Sequence, residues 1–285
     1  MNWSERPWRS VLYIPASKAR ALEKARGLPV DAIIFDLEDA VAPEEKAAAR
    51  ETLAAALSEG GYGARARLVR VNGLDTEWGQ ADLDAAAAMD CDAILLPKVG
   101  GAADLDRVAA RVPGAALWAM METPEGILNA QEIAGHGAMT GFVLGTNDLA
   151  KELQARFRPD RLPLMQALQT CLLAARAAGI PCVDGVYNAF KDDAGLRAEC
   201  EQGRDLGMDG KTLIHPAQVA IANEVFGPSE ADIALAERHI AAFDEAAAKG
   251  EGVAVVDGRI VENLHVATAR ALLARRDAIR ALEGA

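Results

Sequence analysis

Two acidic residues, Glu122 and Asp148, have types and positions suited to metal chemistry. Glu122 closes an apolar run at 116–121, and Asp148 closes a second that begins at 141. Each stands just before a helix-like segment, and one strand–helix repeat separates them. Neighbouring parallel strands lie about 5 Å apart, so carboxylates at their ends can share one hard cation. No His or Cys joins them at a ligand spacing, which disfavours zinc. Two carboxylates with waters and substrate oxygens suit Mg2+, with Mn2+ as a possible substitute. Such an ion chelates a 2-hydroxy or 2-oxo acid and stabilises developing negative charge.

Further charged residues fall at the ends of other apolar runs: Glu38 and Asp39, Arg70 with Asn72, Lys98, Asp184 and His215. Charged residues seldom end buried strands for packing reasons, so together they point to a site. Arg70 is placed to give a second positive contact to an enolate or a tetrahedral oxyanion. Serine chemistry is set aside, because none of the five serines (Ser4, Ser10, Ser17, Ser58 and Ser229) lies in a G-x-S-x-G elbow. Cys91, Cys171, Cys182 and Cys200 form no close pair and no metal spacing. They read as thiols in a reducing cytoplasm.

The elements that must position these residues follow from periodicity. Eight apolar, β-prone segments recur, at 10–15, 32–39, 67–73, 93–99, 116–123, 141–148, 181–187 and 209–216. Alanine-rich helical stretches such as 43–57 and 164–178 lie between them. Eight alternating units predict a (β/α)8 TIM barrel, whose functional residues stand at the C-terminal strand ends. The rival, an open doubly wound sheet, lacks a G-x-G-x-x-G after the first strand. Thr123-Pro124-Glu125 reads as an N-cap, a first-turn proline and an early acid. The barrel is expected over residues 1–227. A C-terminal extension is expected over 228–285: a helix capped by Ser229, a tight hairpin turning at Asp257-Gly258, and a last helix over 265–282. It is expected to act as a lid and oligomerisation element.

Composition bounds the partners. The net charge is −12, which argues against nucleic acid and anionic membranes. No apolar run reaches the length of a membrane span, and the first residues lack a signal-peptide core. The first 26 residues nevertheless gather Arg6, Arg9, Lys18, Arg20, Lys24 and Arg26, a local cationic patch suited to a phosphorylated cofactor.

The segments RSVLYIPASKARALEKA, AIIFDLEDAVAPEEKAAAR, VRVNGLDTEWGQADL, LPKV, METPEGILN, GTNDL, GKTLIHPAQV and DGRIVE, in that order, resemble the citrate lyase β-subunit-like family. Within it they most resemble its malyl-CoA lyases and malyl-CoA thioesterases. The resemblance implies a Mg2+-dependent barrel that processes coenzyme A thioesters and forms homotrimers or hexamers with lids shared between subunits. It makes Glu122 and Asp148 the metal ligands, and has Arg70 contact the thioester or carboxylate oxygen. Glu38 and Asp39 become an acidic pair that organises water and neighbouring side chains. Tyr13, Lys18 and Lys24, with His215 and Pro216, fall where the family holds coenzyme A.

One departure bears on activity. Lyases of the family carry an aspartate at the end of a lid motif that here reads Gly258-Arg259-Ile260-Val261-Glu262. A catalytic group displaced by about 1 Å can lose on the order of a hundredfold in rate, which weighs against carbon–carbon cleavage. The leading expectation is therefore hydrolysis of malyl-CoA. A malyl-, citramalyl- or citryl-CoA lyase is the alternative, and a metal-dependent aldolase of free 2-oxo acids is a second. A non-catalytic binding role is disfavoured by the full set of strand-end charges.

Overall fold

The computed structural model describes residues 2–284. The chain forms two compact units, one built from Trp8–Phe226 and the other from Gly227 onward, with a few N-terminal residues joining each.

The larger unit is a closed parallel barrel of β1 (Ser10–Pro15), β2 (Ala32–Asp36), β3 (Ala66–Arg70), β4 (Ala93–Leu96), β5 (Leu117–Met121), β6 (Met139–Leu144), β7 (Cys182–Asp184) and β8 (Gly210–Leu213). The ring closes where Ser10 pairs with Lys211 and Val11 with Thr212. Its outer helices are α1 (Ala19–Ala25), α2 (Lys46–Glu59), α3 (Gly79–Ala88), α4 (Ala102–Arg111), α5 (Pro124–Leu128), α6 (Ala130–Ala134), α7 (Thr146–Glu152), α8 (Met165–Ala178), α9 (Asp193–Leu206) and α10 (Val219–Phe226). This is the (β/α)8 architecture expected from the sequence.

Alternation along the strands sorts the core into two layers. Val11, Ile34, Leu68, Leu95, Trp118, Met120, Val143 and Val183 fill the barrel interior. Leu12, Ile33, Phe35, Val69, Ile94, Phe142 and Leu144 pack outward against the helices. Both faces are buried, so the strands read as near-continuous apolar runs. The strands are shorter than the runs, because apolar Leu37, Val71 and Val99 are buried just beyond the ladder. At the N-terminal end of the barrel, Trp8 packs on Trp118 with ring centroids 4.6 Å apart, and Trp3 lies 5.9 Å from each.

The second unit contains α11 (Glu230–Ala248), the two-stranded β9 (Ala254–Val256) and β10 (Arg259–Val261), and α12 (Asn263–Glu283). Ser229 caps α11 through the Asp232 amide at 3.1 Å. The hairpin turns on Asp257 and Gly258, with φ of +50° and +75°. Two positive φ values are what a two-residue type I′ turn requires. Ala246, Ala254, Val256, Val261 and Val266 form this unit's own small core.

Candidate active site at the barrel mouth

Inward parity continues upward from the core to the mouth. Above Val11 it selects Tyr13, above Ile34 it selects Asp36, above Leu68 it selects Arg70, and above Met120 it selects Glu122. All four line one cavity of about 350 Å3, together with Asp39, Asn147, Asp148 and Asn188.

Arg70 is the most constrained of them. Its Nε and Nη2 donate to Asp36 Oδ1 and Oδ2 at 2.8 and 2.6 Å, a bidentate fork. Its Nη1 lies 2.8 Å from Glu38 and 3.6 Å from Asp39, and its guanidinium stands 5.0 Å over the Tyr13 ring. Burial opposes the charge, but Asp36 outweighs it and holds the Arg70 pKa above its usual value. Asp36 also accepts the Glu38 and Ala40 amides at 2.9 and 3.1 Å, so it turns the chain that presents Glu38. Burial of Tyr13 pushes its phenol upward, so its hydroxyl stays neutral.

Glu122 follows β5 and is 2 % exposed. Its Oε1 accepts the Lys98 amide at 2.8 Å. Gly145 lies against it, and a Cβ at that position would come within 2.4 Å of Glu122 Cβ and Oε2, so only glycine fits. Burial, followed by the charge of Glu38, raises the Glu122 pKa to about 7. Burial likewise raises Glu38, against the opposing charge of Arg70. Asp148 stands in the first turn of α7 rather than at the end of β6, because the ladder stops at Leu144 and helix begins at Thr146. It lies 3.6 Å from the Lys98 ammonium, which also donates to Glu38 at 2.8 Å. Burial disfavours that ammonium, but the Glu38 hydrogen bond and nearby carboxylates keep it firmly protonated.

Lys18, Lys24 and His215 do not line this cavity. Lys18 is exposed and 3.3 Å from Glu45, and Lys24 is exposed in the last turn of α1. His215 caps the short 3-10 turn that Pro216 opens: its Nδ1 accepts the Ala217 amide at 3.1 Å, and its ring stacks on Phe190 at 4.7 Å. Glu262, in the second unit, precedes α12 and donates its amide to His265 Nδ1 at 3.0 Å.

Asp184 is a strand-end charge that the structure does not bring to the mouth. Val183 takes the inward position on β7, so Asp184 faces the helices, paired with Arg161 at 2.7 Å and Lys211 at 3.1 Å. Sequence reasoning missed Asp36, hidden as the last residue of an apolar run. It also missed Lys46, read as part of an alanine-rich helix. The Lys46 ammonium donates to the Leu37 and Glu38 carbonyls and to Asn72 Oδ1 at 2.8, 2.6 and 2.9 Å, pinning the loop that carries Glu38. Asn147 and Asn188, whose amides bond reciprocally at 3.2 and 2.8 Å, were missed too.

The cavity suits a hard cation. Its polar lining is oxygen-rich and contains neither His nor Cys. At the mouth Asp36, Glu38, Asp39 and Asp148 pair with Arg70 or Lys98, and Glu122 accepts the Lys98 amide. No cluster of three or more His, Cys, Asp or Glu able to hold a metal occurs among the described residues. One or two carboxylates completed by water and substrate is the usual Mg2+ arrangement. Thiol nucleophiles do not fit, because burial pushes Cys91 up to about 11 and Cys171 and Cys200 up to about 12.

The barrel is shared with known proteins, and the chain belongs to the HpcH/HpaI aldolase/citrate lyase family, which it matches over residues 9–216. It is 67% identical over 275 residues, 96% of each chain, to a (3S)-malyl-CoA thioesterase of Cereibacter sphaeroides. It is 35% identical over 282 residues to citrate lyase subunit beta of Escherichia coli, covering 94% of this chain and 93% of that one. Among solved structures, the CitE protein of Mycobacterium tuberculosis in complex with magnesium, acetoacetate and coenzyme A aligns with a TM-score of 0.80 at 28% identity. That alignment covers 96% of this chain and 99% of the other.

Proposed function

We propose that this chain is a Mg2+-dependent thioesterase that hydrolyses (3S)-malyl-CoA to malate and coenzyme A. The observation that carries the reading is the 67% identity to a (3S)-malyl-CoA thioesterase along nearly the whole chain. The mouth geometry supports it with an oxygen-only carboxylate set and a rigidly held arginine.

Glu122 and Asp148 would hold the ion, for which Mn2+ can substitute. Bound there, it would supply a Lewis acid for negative charge developing on substrate oxygens. The chain's own residues do the rest. Arg70, fixed by Asp36, donates to the thioester carbonyl oxygen as water adds to the carbonyl carbon. Glu38 and Asp39 orient that water and receive its proton. The C–S bond then breaks and the thiolate leaves, taking up a proton. Lys18 and Lys24 attract the phosphates of coenzyme A, while Tyr13, His215 and Pro216 border its acyl end. Homotrimers or hexamers are supported by exposed Val255, Ile260 and Leu264, a large apolar area for so small a unit. In such an assembly Glu262 of a neighbouring subunit assists water at the site.

No helix among the described residues is long and apolar enough to cross a membrane. Four unpaired cysteines support a reducing compartment such as the cytoplasm.

The second reading, a malyl- or citryl-CoA lyase, is favoured by the likeness to citrate lyase subunit beta. Product analysis on malyl-CoA decides between them. Malate with free thiol is expected, whereas glyoxylate with acetyl-CoA as the main products would establish the lyase.

A further inference from the structure

Lys98 touches every carboxylate that the metal reading needs. It follows Pro97 beyond β4 and holds a φ of +50°, a left-handed conformation uncommon for a residue with a side chain. Its amide donates to Glu122 Oε1 at 2.8 Å. Its ammonium donates to Glu38 Oε1 at 2.8 Å and stands 3.6 Å from Asp148 Oδ2. One residue thus ties together side chains from the segments after β2, β5 and β6. Its side chain is 52% exposed, so the ammonium is a tethered ion at the solvent edge rather than a buried one. Glu38 and Lys98 also border an adjoining cavity of about 480 Å3, whose wall carries Asp75, Asp104 and Arg107, the last 3.9 Å from Asp104 across a largely exposed pair.

We propose that Lys98 is the resident counter-ion of the site: its ammonium offsets part of the carboxylate charge in the metal-free chain and withdraws toward Asp104 as a divalent cation engages Glu122 and Asp148. The inference rests on the assignment of those two carboxylates as metal ligands under the proposed function. An ammonium and a divalent cation repel one another, and Asp148 cannot serve both at close range. A half-exposed ion pair is weak enough to be displaced, yet its displacement is subtracted from the affinity for the metal. The Lys98 amide keeps its hold on Glu122 throughout, since the backbone need not move when the side chain does. A cation then always stands beside Glu122 and Asp148, and the adjoining cavity receives the departing ammonium.

A structural role and a counter-ion role predict opposite signs. If Lys98 only braces the loop, its removal loosens metal binding; if it competes with the metal, its removal tightens binding. Calorimetric titration with MgCl2, without thioester, is done on the parent, Lys98→Met and Glu122→Gln. Lys98→Met is expected to bind Mg2+ about tenfold more tightly than the parent. In the parent, acetylation of Lys98 by acetic anhydride, followed by peptide mass spectrometry, is expected to accelerate severalfold when Mg2+ is added. Unchanged or weaker binding by Lys98→Met overturns the counter-ion role. If that variant does not fold, an acetylation rate indifferent to Mg2+ overturns it instead. Glu122→Gln binding Mg2+ as tightly as the parent overturns the ligand assignment itself, a separate failure.

Discussion

Glu122 and Asp184 are both acidic, both buried and both at the C-terminal end of a barrel strand, yet they occupy opposite electrostatic worlds. Asp184 faces outward between Arg161 and Lys211, and Lys211 also binds Glu199 at 2.6 Å. Two acids meet two bases there, and the cluster is balanced. Glu122 faces inward among Glu38, Asp148 and further carboxylates, and Lys98 and Arg70 are the cations that oppose its own charge. Burial raises the pKa of both groups. At Asp184 the charges of Lys211 and Arg161 reverse that effect and hold it below the usual carboxylate range. At Glu122 the neighbouring Glu38 adds to it, and the pKa climbs to about 7. A strand-end charge is therefore not by itself a mark of chemistry; parity and charge balance separate the two clusters.

Substitutions can break this contrast. The largest effect is expected at Asp184→Ala, which leaves Lys211 and Arg161 buried without their counter-charge. Breaking a buried pair in this way costs about 3–5 kcal/mol, so urea unfolding should show a loss of that order. A loss under 1 kcal/mol would mean that the balanced cluster is not what holds β7 to the helices. Glu122→Gln should do the reverse: turnover of the thioester falls about a hundredfold or more, while the thermal midpoint holds or rises. Near-parental turnover would dissolve the distinction between the clusters. At the cationic edge, the double variant Lys18→Ala/Lys24→Ala should raise KM about tenfold and leave kcat nearly unchanged, because contacts remote from the reacting carbon bind ground and transition states alike. An unchanged KM would move the coenzyme A site elsewhere.

The finest probe is pH. Asp184 has a lowered folded pKa, so its stabilisation is complete above about 3.8 and is lost as pH falls through the folded value. Glu122 works in the opposite sense. In chelator its folded carboxyl holds a proton that the unfolded chain has already released, so its contribution to stability declines as pH rises from 4.5 to about 7. Urea midpoints in chelator at about pH 5 and about pH 8 should therefore differ less in Glu122→Gln than in the parent. An identical difference in both proteins would mean that Glu122 ionises normally.

The barrel was legible because eight apolar runs alternate with helical stretches, and their starts match the ladder closely. Their ends were read too far along. Leu37, Val71 and Val99 are as apolar and buried as the strand residues, but belong to the loops that follow. The same overreach put Asp148 on a strand, when the chain had already turned into α7. Parity was not legible either, since both faces of each strand are apolar, and so Asp184 read like Glu122. Lys46 and Asp36 were hidden because their meaning lies in partners far along the chain: Lys46 holds Asn72, and Asp36 holds Arg70. Glu122 was legible for a local reason, because Thr123 caps α5 through the Gly126 amide at 3.0 Å and leaves the glutamate no such task.

The tryptophans give the molecule an optical signature. Three of the four, Trp3, Trp8 and Trp118, lie with centroids 4.6 to 5.9 Å apart at the end of the barrel opposite the mouth. Indoles this close share their excitation, so the near-ultraviolet circular dichroism should contain a coupled band that exists only while β1 and β5 hold the rings together. The fourth, Trp78, lies under the Lys46 ammonium at 5.3 Å, beside the loop that carries Glu38. Its emission should respond to ligands entering the mouth, while the coupled band stays constant. One spectrum then follows barrel closure and the other follows occupancy, in the same unlabelled sample.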